Sequence, residues 1–179
     1  MIFSEYLAKQ DTAMQSIPVE QVEGFLAALQ QLRDDNKFLW VAGNGGSAST
    51  ASHFVGDLVK TVKGHGSKSL KTVALSEMTA LQTAYANDES FESAMGASLL
   101  DLSNPGDGLL IISVSGLSPN LIAAASAARE RGVKIFSLVG QRGQALADES
   151  DYAILVESND YQIVENAHVI LMHWFAKAL

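Results

Sequence analysis

The sequence predicts an α/β protein in which a doubly wound, parallel sheet of five strands lies between two layers of helices. Two observations predict this three-layer fold. Short, continuously apolar runs alternate with helical stretches along the chain, and a pair of helices precedes the first of these runs. Repeated strand and helix units of this kind form parallel sheets with right-handed crossovers. We therefore interpret residues 1–179 as one domain, with the helical pair in 1–36 and the sheet core in 37–179.

The five strands are predicted from runs that are apolar along their whole length. Such runs are typical of strands that helices cover on both faces. Strands rarely exceed about ten residues, and each of these runs is short enough to be one. The predicted strands occupy residues 38–42, 71–75, 108–114, 134–140 and 152–157.

Helices are predicted where apolar residues recur at spacings of three and four. Gly132, which follows Arg129 and Arg131, indicates the end of one of them. The stretch 61–70 is the most loop-like part of the chain, and His65, between two glycines, is expected to be exposed there. After the N-terminal segment, the predicted helices occupy residues 18–35, 47–62, 76–87, 118–132 and 161–179.

Composition and charge narrow the possible functions. The formal net charge is -8, so most of the surface should repel nucleic acid, and we expect no nucleic-acid partner. Cysteine is absent, so nothing indicates thiol chemistry or an oxidising compartment. The first residues lack the apolar core of a signal peptide, and no apolar run is long enough to span a bilayer. We therefore expect a cytoplasmic location and no membrane partner.

Two strand-to-helix turns are rich in glycine and serine. The first is "VAGNGGSAS" at 41–49, and the second is "ISVSGLSPN" at 112–120. Ligands of open parallel sheets bind at the carboxyl ends of the strands, where helix N-termini favour anions. Both turns could therefore converge on one phosphate, although Ser118 alone is equally consistent with a plain helix cap. Neither turn has the Walker or the dinucleotide spacing, so no nucleotide cofactor is expected.

A resemblance to a known family rests on four stretches in this order. They are "GNGGSASTASHF", "AND" at 86–88, "ISVSGLSPN" and "ENAHVILMH". With them the chain resembles the sugar isomerase (SIS) domain family over its whole length, and within that family the phosphoheptose isomerases. The resemblance implies a phosphosugar substrate, and a homotetramer with its N-terminal helices at the centre and its active sites at subunit interfaces.

The resemblance also implies roles for individual residues. The phosphate would be held by the serines, next to Gly45 and Gly46 in the first turn. Asn44 would lie near the sugar hydroxyls, and Asp88, beside Asn87, would position the open sugar chain. A helix-ending turn is the alternative interpretation of Asn87 and Asp88. The phosphate-binding serines would be Ser47, Ser113, Ser115 and Ser118.

Aldose–ketose isomerisation requires a base and an acid for proton transfer between adjacent carbons. His53 and Asp57 lie four residues apart and share a helix face, and Glu165 and His173 lie eight apart on the last helix. If these helices meet, the four side chains form a set suited to zinc or another divalent ion. Asp57 is the candidate base and His173 the candidate acid, while Glu165 is also a candidate substrate contact. Structural roles remain the alternative for both histidines, and His168 is expected to serve packing or subunit contact.

The sequence also departs from the family at four positions. Aspartate stands at Asp57 where glutamate is usual, and glutamate stands at Glu165 where glutamine is usual. Val114 and Gln162 replace a hydroxyl residue and an aspartate. Both acidic partners of the histidines are nevertheless present, which favours catalysis over binding alone. With the resemblance, this indicates an isomerase of sedoheptulose 7-phosphate, while the sequence leaves isomerisation of a hexose phosphate open. The alternative is a non-catalytic SIS module that binds a phosphosugar or a protein as a regulator.

Overall fold

A five-stranded, entirely parallel sheet forms the centre of the protein in a computed structural model that describes residues 2–64 and 68–179. The strand order is β2-β1-β3-β4-β5. The predicted strands begin at the correct residues and end within one residue of the observed ends. The predicted loop residue His65 lies outside the described residues. The strands are β1 Phe38–Gly43, β2 Lys71–Ala74, β3 Gly108–Ser113, β4 Lys134–Gly140 and β5 Tyr152–Val156.

Helices cover both faces of the sheet, which confirms the three-layer prediction. Helices α1, α2, α3 and α9 share one buried cluster, and α6, α7 and α8 share the other. Successive residues of a strand enter opposite clusters, as Leu39 and Trp40 do, because side chains alternate across a sheet. The helices are α1 Phe3–Gln15, α2 Val19–Asp34, α3 Gly46–Gly56, α4 Val62–Gly64, α5 Thr79–Asp88, α6 Ala94–Leu102, α7 Pro119–Glu130, α8 Gln144–Asp148 and α9 Tyr161–Ala178.

The helix predictions differ from the structure in two places. The helix predicted over 47–62 is not continuous, because α3 ends at Gly56 and a π turn, Asp57–Thr61, separates it from α4. The sequence prediction also missed α6 and α8. Helix α6 buries Gly96 and Ser98 along with its apolar residues, so it lacks the one-sided pattern that identifies a surface helix. Gly132 does end α7, and it has a φ of +69°.

The strand order places a topological switch point between β1 and β3. From β1 the chain moves outward to β2, and after β3 it moves in the opposite direction through β4 to β5. The turns that follow β1 and β3 therefore diverge and leave a crevice between them, which is where open α/β sheets bind ligands. Among the described residues, no helix combines the length and apolar character needed to cross a membrane.

His168 is buried inside α9 and serves packing within the chain, one of the two roles expected of it. Burial lowers the pKa of its imidazole to about 4, because the charged form loses its hydration. The nearby backbone of Val139 offsets this lowering only in part. Neither ring nitrogen makes a hydrogen bond of ordinary geometry to the residues described.

His168 should therefore make the stability of the protein depend on pH. In the unfolded chain the imidazole of His168 binds a proton with a pKa near 6.5, whereas in the folded protein it is protonated only near pH 4. The free energy of unfolding should fall as the pH drops from 6.5 to 4, by about 3 kcal/mol from this group. Urea denaturation at pH 7 and at pH 4 should show that His168→Leu loses less unfolding free energy between these two pH values than the wild type does. Equal losses in the wild type and in His168→Leu would contradict this assignment.

Candidate functional site

The turn between β1 and α3 requires glycine at two positions. Gly45 has a φ of +53°, a backbone angle that residues with a side chain rarely adopt. A Cβ at Gly43 would lie 2.7 Å from the carbonyl oxygen of Ser47. The first intrahelical hydrogen bonds of α3 are donated by Ala48, so the N–H groups of Gly46 and Ser47 precede them and lie at the positive end of the helix dipole. The turn thus presents backbone donors and the buried Ser47 to an anion.

The turn between β3 and α7 is tightened by its own serines. Ser113 Oγ accepts a hydrogen bond from the Gly116 N–H at 3.0 Å, and Ser115 Oγ accepts one from the Leu117 N–H at 3.2 Å. Gly116 has a φ of +63°, and a Cβ there would lie 2.4 Å from Gly143 Cα. Ser118 occupies the N-cap position of α7, yet its side chain makes no capping hydrogen bond within the described chain. Its hydroxyl therefore does not cap α7, which was the alternative role that the sequence allowed for Ser118.

The two turns line one cavity of about 290 Å³. This cavity brings together the eight residues of the predicted phosphate site and its surroundings. It is also lined by Tyr161, the first residue of α9, which the sequence prediction missed. No lysine or arginine is among the lining residues within 2–64 and 68–179. The predicted residues in the lining are Asn44, Gly45, Gly46, Ser47, Ser113, Ser115, Ser118 and Glu165.

A buried amide pair joins the two turns. Asn44 Nδ2 donates to Asn120 Oδ1 and Asn120 Nδ2 donates to Asn44 Oδ1, both at 2.9 Å. Asn120 is almost completely buried and donates also to Met95 Sδ at 3.8 Å. The reciprocal bonds orient both amides, so Asn44 lies at the cavity wall in one fixed orientation. The sequence prediction missed Asn120, although the quoted stretch "ISVSGLSPN" ends on it.

Glu165 lies against the first turn. Its Oε1 is 2.9 Å from the position that a Cβ would take at Gly46, so the absence of a side chain at Gly46 makes room for the carboxylate. Because Glu165 lines the cavity without a cationic residue in that lining, its charge opposes the binding of an anion there. The cavity between the two turns therefore contains one acidic group among its neutral donors.

A second group of polar side chains lies further along α3 and α9. Asp57 Oδ2 is 3.6 Å from His53 Nε2 and 3.9 Å from His173 Nε2, and the two imidazole rings are 5.0 Å apart between centroids. About half of each histidine side chain is exposed, whereas that of Asp57 is 18% exposed. One donor atom from each residue lies within 4.8 Å of the other two. Two imidazoles and one carboxylate at this separation fit a zinc ion with a position left for a substrate oxygen.

The structure separates the other predicted site residues from this cluster. Glu165 is not part of it, since it lies about 12 Å from His173 along the axis of α9. Asn87 and Asp88 are exposed at the end of α5, where Asn87 Nδ2 donates to Asp88 Oδ1 at 2.8 Å. Neither lines the cavity between the two turns. Their predicted contact with the sugar therefore stays a prediction.

Comparison with known proteins identifies the family. The sequence profile of the SIS domain matches residues 5–140. The chain belongs to the SIS domain family. This SIS domain is 33% identical to a phosphoheptose isomerase of Helicobacter pylori over 178 residues, which cover 97% of this chain and 91% of that protein. It is 35% identical to a phosphoheptose isomerase of Geotalea daltonii over 163 residues, which cover 89% and 84% of the two chains.

Solved structures agree with this assignment. The phosphoheptose isomerase of Neisseria gonorrhoeae superposes with a TM-score of 0.86 at 28% identity, covering 98% of this SIS domain and 95% of that chain. The phosphoheptose isomerase of Francisella tularensis superposes with a TM-score of 0.89 at 24% identity, covering 98% and 92%. The second comparison supports the fold alone.

The charge of Glu165 should weaken anion binding by this SIS domain. Replacing the carboxylate with the neutral amide in Glu165→Gln removes a repulsion of about 1 kcal/mol, so inorganic phosphate should bind about fivefold more tightly. Calorimetric titration of metal-free protein measures this directly. Glu157→Gln, which makes the same charge change at an exposed position outside the lining, is the control and should leave the affinity unchanged. Equal affinities of wild type and Glu165→Gln would show that phosphate does not bind beside Glu165.

Proposed function

We propose that this protein is an aldose–ketose isomerase that acts on sedoheptulose 7-phosphate. The proximity of Asp57 to His53 and His173, on the same two helices that line the anion cavity, carries the proposal. Phosphoheptose isomerases that match most of this chain support the choice of a seven-carbon substrate. A regulatory module that only binds a phosphosugar needs the cavity but has no use for an acid–base cluster.

In this proposal the two turns hold the phosphate. The glycines, Gly45 and Gly46, allow the backbone to approach the phosphate oxygens closely, and the N-termini of α3 and α7 favour its charge. Asn44, oriented by Asn120, is placed to bind a sugar hydroxyl. The serine hydroxyls that donate to the phosphate are those of Ser47, Ser113, Ser115 and Ser118.

The spacing along α3 matches the length of the substrate. Ser47 and His53 are six residues apart, or about 9 Å along the helix axis. The Cα–Cβ bonds of a helix tilt toward its N-terminus, which is the end of α3 that lies at the cavity. The six single bonds from the ester oxygen to C2 of an extended heptulose 7-phosphate span about 7 Å. A phosphate at Ser47 therefore brings C1 and C2 to the neighbourhood of the histidines.

The isomerisation needs one base and one acid at adjacent atoms. Asp57 takes a proton from C1 while His173, as the imidazolium, gives a proton to the carbonyl oxygen on C2, and an enediol results. Return of the carbon-derived proton from Asp57 to C2, with transfer of the O1 proton to His173, gives the aldose. Atoms balance, and both residues end in their starting protonation states.

We propose that zinc or another divalent ion binds at His53, Asp57 and His173. Glu165, the fourth ligand expected from the sequence, lies at the first turn and is not included in this site. The separation of the donor atoms supports the first three as ligands. When bound, such an ion would hold His173 as a neutral imidazole and would itself polarise the sugar carbonyl, so proton donation by His173 applies to the metal-free protein.

The proposal also includes a homotetramer of 1–179 in which the helices of 1–36 pack together. Ile2, Phe3 and Leu7 expose more than half of their surface on or beside α1. An apolar cavity of about 310 Å³ is lined by residues of α1, α2 and α9, among them Met14 and Trp174. Apolar surface of this kind is typical of a subunit contact. In such a tetramer, Asn87 and Asp88 would contact the sugar that is bound by a neighbouring subunit.

Incubation of the purified protein with sedoheptulose 7-phosphate should give an aldoheptose 7-phosphate, detected by NMR through its anomeric signals. Asp57→Asn and His173→Gln keep the side-chain size but remove the base and the acid, and each should lower kcat by about a hundredfold or more. His168→Leu, which changes a histidine of α9 outside the site, is the control and should keep kcat. If no aldose forms with or without added zinc, the isomerase proposal fails.

A further inference from the structure

Asp57 lies in an unusual turn of the chain. It is the first residue of the π turn Asp57–Thr61, and its carbonyl oxygen accepts from the N–H of Val62, five residues ahead. Such turns interrupt regular helices and are frequent at functional sites. A helical threonine commonly donates to the backbone carbonyl four residues earlier. Thr61 instead donates its hydroxyl to the side chain of Asp57, with 3.0 Å between Thr61 Oγ1 and Asp57 Oδ1.

This hydrogen bond gives the two carboxylate oxygens of Asp57 different surroundings. Oδ1 accepts from Thr61, whereas Oδ2 lies nearest to both His53 and His173. The χ2 angle of an aspartate is only weakly restricted by its own torsional energy. A hydroxyl that donates to a carboxylate forms a strong, charge-assisted hydrogen bond, which can restrict that angle.

We propose that Thr61 is a positioning residue that holds Oδ2 of Asp57 toward the two histidines. The inference rests on the proposed function, in which Oδ2 is the oxygen that accepts the substrate proton in the metal-free protein and the oxygen that would ligate an ion when one is bound. Without the hydroxyl, the carboxylate rotates and Oδ2 spends less time beside the imidazoles. Thr61 itself touches neither substrate nor metal in this account.

The test compares Thr61→Val with Thr61→Ser. Valine has the shape of threonine and a similar helix propensity but no hydroxyl, whereas serine keeps the donor. Thr61→Val should lower kcat for sedoheptulose 7-phosphate about tenfold with KM changed less than about twofold, and Thr61→Ser should keep most of the wild-type kcat. Thr12→Val removes a helical hydroxyl bond to the Ala8 carbonyl in α1 and serves as the control.

A second measurement does not depend on turnover. Cobalt(II), whose absorption spectrum reports tetrahedral binding, should bind Thr61→Val about tenfold more weakly than wild type or Thr61→Ser. If the wild type binds cobalt but does not isomerise the sugar, the proposed function fails while this comparison still tests Thr61. Equal cobalt affinity and equal kcat in wild type and Thr61→Val would overturn the role of Thr61. The role of Thr61 is also overturned if the wild type neither binds cobalt nor isomerises the sugar. It is overturned as well if Thr61→Val shows no thermal unfolding transition and Thr61→Ser is impaired to the same degree.

Discussion

The parallel pairing of β1 with β3 is the constraint on which the candidate site depends. Their register places Gly43 opposite Ile112, so the two serine-containing turns leave the sheet side by side. Each turn has a glycine with positive φ, and each has a position where a Cβ would collide with backbone atoms. The Asn44–Asn120 amide pair then joins the turns across the switch point. A slip of this register would separate the serine hydroxyls and backbone donors of one turn from those of the other.

The packing of α9 supplies the other half of the site. Phe175 of α9 stacks on Phe25 of α2 at 5.0 Å, and Phe25 contacts Phe136 of β4 edge-on at 5.1 Å. These buried rings fix α9 on the same face of the sheet as α3. One end of α9 then brings Glu165 to the first turn, and a position eight residues later brings His173 to Asp57. The aromatic contacts thus determine indirectly how the cavity and the acid–base cluster lie relative to each other.

The sequence predicted the strands well because buried parallel strands are apolar without interruption. It also predicted the convergence of the two turns, since the carboxyl ends of parallel strands meet at one edge. It could not predict the pairing of Asn120 with Asn44, which depends on a contact between residues 76 positions apart. The π turn at Asp57 left no signal either, because the apolar spacing of 47–62 fits a regular helix. Thr61 was missed for that reason. The separation of Glu165 from His173, by contrast, follows from their spacing of eight residues, and the sequence interpretation considered only that both lie near one stripe of the helix.

We propose that one extended sugar phosphate spans the distance from the serine turns to Asp57. A crystal structure of the protein with sedoheptulose 7-phosphate bound would show whether it does. We expect phosphate oxygens within hydrogen-bond distance of Ser47 and Ser115, and C1 of the sugar within about 3.5 Å of an Asp57 oxygen. A phosphate bound at the turns with its sugar chain directed away from α3, and with no contact to Asp57 or His173, would rule out this binding mode.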